Sequence, residues 1–130
     1  MVKRVLADTH VAIWFASAPE LLSKSALGLL NTCNELFLST ISLAEIEMKK
    51  AKGKVKMDSV SVPDLEPVGF EIVNFDAEAA SAMVRFNYLA NHDPFDWLLL
   101  AQAASLDATF VTADRKLLSL GLAWVIDAEA

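Results

Sequence analysis

The sequence predicts an α/β fold, a mainly parallel sheet covered by helices on both faces. Three observations predict it. Short β-like runs alternate with helix-length stretches along the chain, the order that a parallel sheet with crossover helices requires. Each helix candidate follows a Ser or Asp able to cap it. The composition, 55% hydrophobic and 22% charged with four Gly and four Pro, is that of a compact globule with a generous core.

The first strand candidate is "KRVLA", residues 3 to 7, and it runs into Asp8, which would cap a segment starting near Thr9. A helix is expected over 24 to 34 behind Ser23, then a strand at "ELFLST", residues 35 to 40. The next helix, 43 to 52, carries Ser42 and Glu45 in S-x-x-E spacing, a capping box in which the Glu reaches back to the cap residue's N–H. Residues 53 to 69, "GKVKMDSVSVPDLEPVG", hold two Pro and two Gly and read as a surface connection with room for a helical turn. "FEIVNF" (70 to 75) is the third strand, followed by a helix over 77 to 90 behind Asp76. In "HDPFDWLLLAQAA", Pro94 suits the first helical position, which makes Asp93 the N-cap of a helix over 94 to 106 and Asp96 its third residue. Strands at "ATFVT" (108 to 112) and "LAWVI" (122 to 126) flank a short helix over 115 to 120 behind Asp114.

At 130 residues the chain fits one domain, residues 1–130, able to fold without staples. Cys33 is the single cysteine, so no internal disulfide is possible; a small buried hydrophobe in a reducing compartment is expected. The N-terminus mimics a signal peptide, but Asp8 and His10 interrupt its apolar region, and a cytoplasmic chain is the reading. The longest uncharged apolar run, residues 97 to 106, falls short of the ~18 residues a membrane span needs. Formal charge is −6, which argues against broad nonspecific adhesion to nucleic acid. Five of the eleven basic residues, however, fall within "KKAKGKVK": Lys49, Lys50, Lys52, Lys54 and Lys56.

In a doubly wound sheet, ligand sites collect beyond the carboxyl ends of the strands. Asp8 follows the first strand and Asp114 the fourth, where each has helix capping as its structural alternative. Asp96 shares a helix face with Leu99, Leu100 and Ala103, which turns a carboxylate toward the interior, a costly place unless a cation meets it. Glu45 either closes the capping box or turns inward to a site. Two of these acids follow strands that should be central neighbours, and two lie on flanking helices. Four carboxylates brought together repel unless divalent cations are present, and hard oxygen ligands suit Mg²⁺ or Mn²⁺. The chain has no Cys/His spacing for zinc, no glycine-rich phosphate loop and no G-x-S-x-G elbow.

The ordered set "LADTH", "SLAEI", "HDPFDWLLLAQA" and "TFVTAD" resembles the PIN-domain ribonucleases, specifically the VapC-type toxins of toxin–antitoxin pairs. The resemblance covers nearly the whole chain. It implies a PIN-like three-layer α/β/α sandwich with a mainly parallel five-stranded sheet. It also implies a catalytic and metal-binding set of Asp8, Glu45, Asp96 and Asp114, with Asp93 as the helix cap. The implied activity is Mg²⁺-dependent endonucleolytic cleavage of RNA, Mn²⁺ being a second candidate, in which the metal lowers the pKa of a water that attacks phosphorus in line. Many relatives have Arg directly after the second aspartate of "DPFD"; this chain has Trp97.

Lys49, Lys50, Lys52 and Lys54 offer a local track for RNA phosphates, with a solvated surface run as the alternative. His10 could position a phosphate or water beside Asp8, or hydrogen-bond behind it; Thr112 could support Asp114 through its hydroxyl. His92 reads as a surface residue. Trp14, Phe15 and Trp97 suit a homodimer interface or an antitoxin helix in a groove, ordinary core packing being the competing account. Two rivals to the RNase toxin are weighed. A phosphotransferase with an aspartyl nucleophile is disfavoured because position 10 is His rather than the second Asp of a D-x-D pair. A catalytically inactive PIN-like module binding RNA or protein is opposed by the presence of all four acids.

Overall fold

The computed structural model describes residues 2–53 and 65–130. Lys54, Lys56 and most of the expected connection lie outside the described residues. In chain order the elements are β1 (Arg4–Ala7), α1 (Thr9–Ser17), α2 (Lys24–Thr32), β2 (Glu35–Ser39), α3 (Thr40–Ala51), β3 (Glu71–Val73), α4 (Ala77–Ala82), α5 (Pro94–Ser105), β4 (Thr109–Thr112), α6 (Arg115–Leu118) and β5 (Val125–Asp127). Single 3₁₀ turns sit at Pro19–Leu21 and Glu66–Val68, the latter within the expected connection. The five strands form one sheet in the order β3-β2-β1-β4-β5, every pairing parallel.

Period-two alternation divides the core into two layers. Val5, Ala7, Leu36, Leu38 and Val111 point to one face and pack with Val11, Ala12, Ala26 and Leu30 of α1 and α2. Leu6, Phe37 and Phe110 point to the other and meet Leu99, Leu100 and Ala103 of α5, with Phe86 and Leu89. Because both faces are covered, the strands are apolar on both sides, as parallel sheets require. In α5 five successive residues, Leu99 to Ala103, are buried, which explains why the helix carries no charge after Asp96. The result is the α/β/α sandwich expected.

Three local expectations are corrected. The capping box does not form: α3 starts at Thr40, where Ser39 Oγ accepts the Ile41 N–H at 3.0 Å, so Ser42 and Glu45 are already inside the helix. The helix expected over 77 to 90 is α-helical only to Ala82 and continues to Leu89 as 3₁₀ turns with a kink at Phe86 (φ −124°, ψ 31°). Phe86 is buried there with its ring edge-on to Trp124, and Trp97 donates its indole N–H to the Met83 carbonyl at 3.0 Å, a foreign donor of the kind that breaks a helical ladder. Residues 9–17 form a full helix, of which the sequence marks only the cap; "THVAIWFAS" is apolar all round and lacks the 3.6-residue contrast that identifies a helix.

Candidate active site

β1 and β4 are adjacent at the centre of the sheet, and the chain winds outward from them in opposite directions, so their carboxyl ends form the switch point where such folds place ligands. Asp8 prolongs β1 by one bond, its N–H donating to the Val111 carbonyl at 3.0 Å. The residue is only 7% exposed. Oδ1 accepts the Thr9 N–H at 2.7 Å, and Oδ2 accepts the Thr112 hydroxyl at 2.6 Å. That same hydroxyl accepts the Asp114 N–H at 3.0 Å, so one threonine sets two of the acids. Asp114 also caps α6 through Oδ1, which accepts the Leu117 N–H at 2.9 Å. Asp8 and Asp114 thus cap helices and line the cleft at once.

Glu45, 6% exposed, reaches the same place from α3. Oε1 lies 2.6 Å from the Thr9 hydroxyl and Oε2 lies 2.8 Å from Lys49 Nζ. Ser42 Oγ is 2.9 Å from the Thr9 oxygen; since one hydroxyl carries one proton, Thr9 donates to the carboxylate and accepts from Ser42. Asp96 enters from the first turn of α5, half-buried, with Oδ2 3.1 Å from His92 Nε2.

The electrostatics follow from this crowding. Burial pushes the Asp96 carboxyl up to about 8, aided by the charges of Asp8, Asp114 and Asp93 and a hydrogen bond to Asp114. Burial also raises Asp8, with Glu45 adding to it, against the lowering effect of the bonds from Thr112 and Thr9. Among the described residues, Glu45 alone of the four has a lysine or arginine ion pair. Asp8, Asp96 and Asp114 face one another without one. Together the four acids line a cleft of about 370 Å³ whose walls also carry His10, Trp14, Lys49, Asp93 and Glu129, the last an acid that the sequence does not single out. One ligand atom each from His92, Asp96 and Asp114 lies within 4.8 Å of the others. Hard oxygen donors in uncompensated negative surroundings fit a hydrated divalent cation.

Residues 5–121 match the family model described as PIN domain. The chain belongs to the PIN domain family. This PIN domain is 27% identical over 117 residues to Ribonuclease VapC22 of Mycobacterium tuberculosis, covering 88% of this chain and 90% of that one. Its fold is similar to VapBC2 from Rickettsia felis bound to a promoter DNA fragment (TM-score 0.68, 23% identity, 95% and 96% of the two chains). It is similar also to VapBC-5, a toxin–antitoxin family member from Mycobacterium tuberculosis (TM-score 0.64, 22% identity, 100% of both chains).

The PIN domain brings Asp8, Glu45, Asp96 and Asp114 together. Asp93 is the α5 cap, accepting the Phe95 N–H at 2.9 Å. Thr112 accepts the Asp114 N–H and donates its own hydroxyl to Asp8. His10 is exposed on the rim, with its ring 6.3 Å from that of Trp14, and its influence on Asp8 is through charge. The lysines diverge: Lys49 turns to Glu45, Lys50 pairs with Glu47 at 3.5 Å, Lys52 is exposed, and Lys54 lies outside the described residues. Trp97 packs between helices rather than at the cleft. His92 is not a surface residue, its side chain being only 12% exposed beside Asp96. Sequence reasoning misses Thr9, Ser42 and His92; their signal is adjacency to the acids within "LADTH", "SLAEI" and "HDPFD", which spacing alone does not convert into contacts across elements.

Proposed function

We propose that this PIN domain is a metal-dependent endoribonuclease and the toxin of a toxin–antitoxin pair. The observation that carries the reading is the convergence of four carboxylates from β1, α3, α5 and the β4 end on one cleft, three of them without a lysine or arginine counter-ion among the described residues. The similarity to Ribonuclease VapC22 supports RNA as the substrate.

Asp8, Asp96 and Asp114 would hold Mg²⁺ or Mn²⁺, with Glu45 completing the site through water. The bound cation supplies Lewis acidity that makes water a nucleophile near neutral pH and offsets charge on the leaving oxygen. Thr9 and Thr112 keep the Asp8 carboxylate in place from both oxygens, so it need not reorganise when substrate arrives. Asp96, whose crowded surroundings favour its protonated form without a cation, would bind the ion as the carboxylate. Lys49, Lys50, Lys52 and Lys54 offer ammonium groups to RNA phosphates. An ammonium has three donors, so Lys49 can serve Glu45 and a phosphate together.

The neighbouring solved complexes pair toxin with antitoxin, and we extend an antitoxin partner to this chain, with a homodimer as its own assembly. Cys33, a free half-buried thiol, fits a cytoplasmic protein. No helix among the described residues is long and apolar enough to cross a membrane.

The test is incubation of the purified protein with a panel of structured and unstructured RNAs, in Mg²⁺ and in EDTA, resolved by electrophoresis. Cleavage at internal positions in Mg²⁺ and none in EDTA is expected. RNA binding without cleavage of any panel member would replace the nuclease by a binding module.

A further inference from the structure

The four acids of the cleft are not electrostatically alike. Asp8 has both oxygens occupied by neutral donors, the Thr9 N–H and the Thr112 hydroxyl, so its charge stays uncompensated. Asp96 and Asp114 likewise have no lysine or arginine partner among the described residues. Glu45 differs on both counts: Oε1 takes the Thr9 hydroxyl at 2.6 Å and Oε2 takes the Lys49 ammonium at 2.8 Å. The lysine is one helical turn along α3 from the glutamate, its side chain 29% exposed and forming part of the cleft wall. A buried carboxylate held on both oxygens, one by a full positive charge, has no unmet demand for a cation.

We infer that Lys49 is an internal cation that stands where a second divalent ion would otherwise bind, so that the cleft takes one divalent ion, on the Asp8, Asp96 and Asp114 side. The inference rests on reading the cleft as a cation site. A divalent ion seeking Glu45 must take Oε2 from the ammonium and sit within a few ångströms of it, where like-charge repulsion in a half-buried site opposes it. Lys49 is thus a positioning residue: it fixes the second oxygen of Glu45 and leaves the ion to the aspartates. Removing the ammonium without changing the length of the stem leaves Glu45 bare beside the other acids and opens the second position.

Mn²⁺ is the probe, titrated into the metal-free protein by calorimetry, with bound ion counted from the loss of the free-ion paramagnetic resonance signal. Wild type, Lys49→Met, Lys49→Gln and Lys49→Arg are compared, with Lys24→Met at the exposed start of α2 as a control for removal of a surface charge; thermal unfolding verifies that each is folded. One ion per chain is expected for wild type, Lys49→Arg and Lys24→Met, and two for Lys49→Met and Lys49→Gln. Two ions in wild type, or one ion in both neutral variants, would overturn the role of Lys49 while leaving the cation site intact. No Mn²⁺ bound by wild type would instead remove the cation reading of the cleft, and this inference with it.

Discussion

Asp96 has a strongly perturbed carboxyl, and the sign of the shift has consequences that can be measured without substrate. In the metal-free folded chain its carboxyl is held at about 8, mainly by burial and then by neighbouring carboxylates, against 3.8 for an ordinary aspartate. Between those values the folded state keeps a proton that the unfolded state has released, so stability falls as pH rises through the window. Asp8 is shifted in the same direction and adds to the slope. The melting temperature of EDTA-treated protein should therefore drop from about pH 5 to about pH 8, and Asp96→Asn should flatten that slope and raise the melting temperature at the upper end by roughly 3–8 °C. A wild-type melting temperature that climbed over this range would contradict the burial argument. Thr9 is the second residue to test. Thr9→Val leaves Glu45 Oε1 and Ser42 without their partner, at about 1–3 kcal/mol in urea unfolding, while Thr9→Ser should recover most of it. The acids are legible in the sequence because each stands at a strand end or in a helix's first turns, positions that pattern alone identifies. Thr9, Ser42 and His92 are not, because a hydroxyl or imidazole becomes a partner only when another element faces it.

The helix α3 shows how one pattern supports two structures. S-x-x-E at 42 to 45 fits a capping box, yet Ser39 ends β2 and already caps the helix at Thr40, which turns Ser42 and Glu45 inward to the cleft. Ser39→Ala should cost about 1 kcal/mol of unfolding free energy by removing the cap and leave any cleavage activity in place; the two effects are separable by denaturation and RNA assays on the same protein. At the other end of α3 the lysine run has a different test. Replacing Lys49, Lys50, Lys52 and Lys54 together with Ala should weaken RNA cleavage and flatten its dependence on salt, since the salt slope falls by about one for each phosphate that a lysine no longer neutralises. Unchanged cleavage across salt concentrations would remove the phosphate track. The helix after β3 is readable as a helix but not as a kinked one, because the kink comes from the Trp97 indole on the Met83 carbonyl, a hydrogen bond between residues fourteen apart in sequence. The same bond gives Trp97 a structural place: its side chain joins α5 to the 3₁₀ turns that follow α4.

At the scale of the molecule, alternation of strands and helices suffices for the α/β class, and the resemblance supplies the three-layer form that the two core clusters display. Strand order is only half legible: the acids that follow β1 and β4 point to those strands as central neighbours, which they are, but nothing local marks their register, and the placement of Asp8 beside Thr112 depends on it. The net charge of −6 now has a partial location, since Asp8, Glu45, Asp93, Asp96, Asp114 and Glu129 all line the cleft, where among the described residues only Glu45, with Lys49, and Glu129, with Arg115, have a lysine or arginine ion pair. Arg115 meanwhile forks onto Asp127 at 2.9 and 2.7 Å, tying α6 to the end of β5 beyond the site and holding the Asp127 carboxyl below its usual range. The central claim is that this convergence of acids cuts RNA with a divalent ion. It is tested most directly by following the cleavage rate of a single RNA in Mg²⁺ for wild type, Asp8→Asn and Asp96→Asn, each verified as folded. A fall of at least about 100-fold in both variants is expected; a rate in either that stays close to wild type would contradict the site.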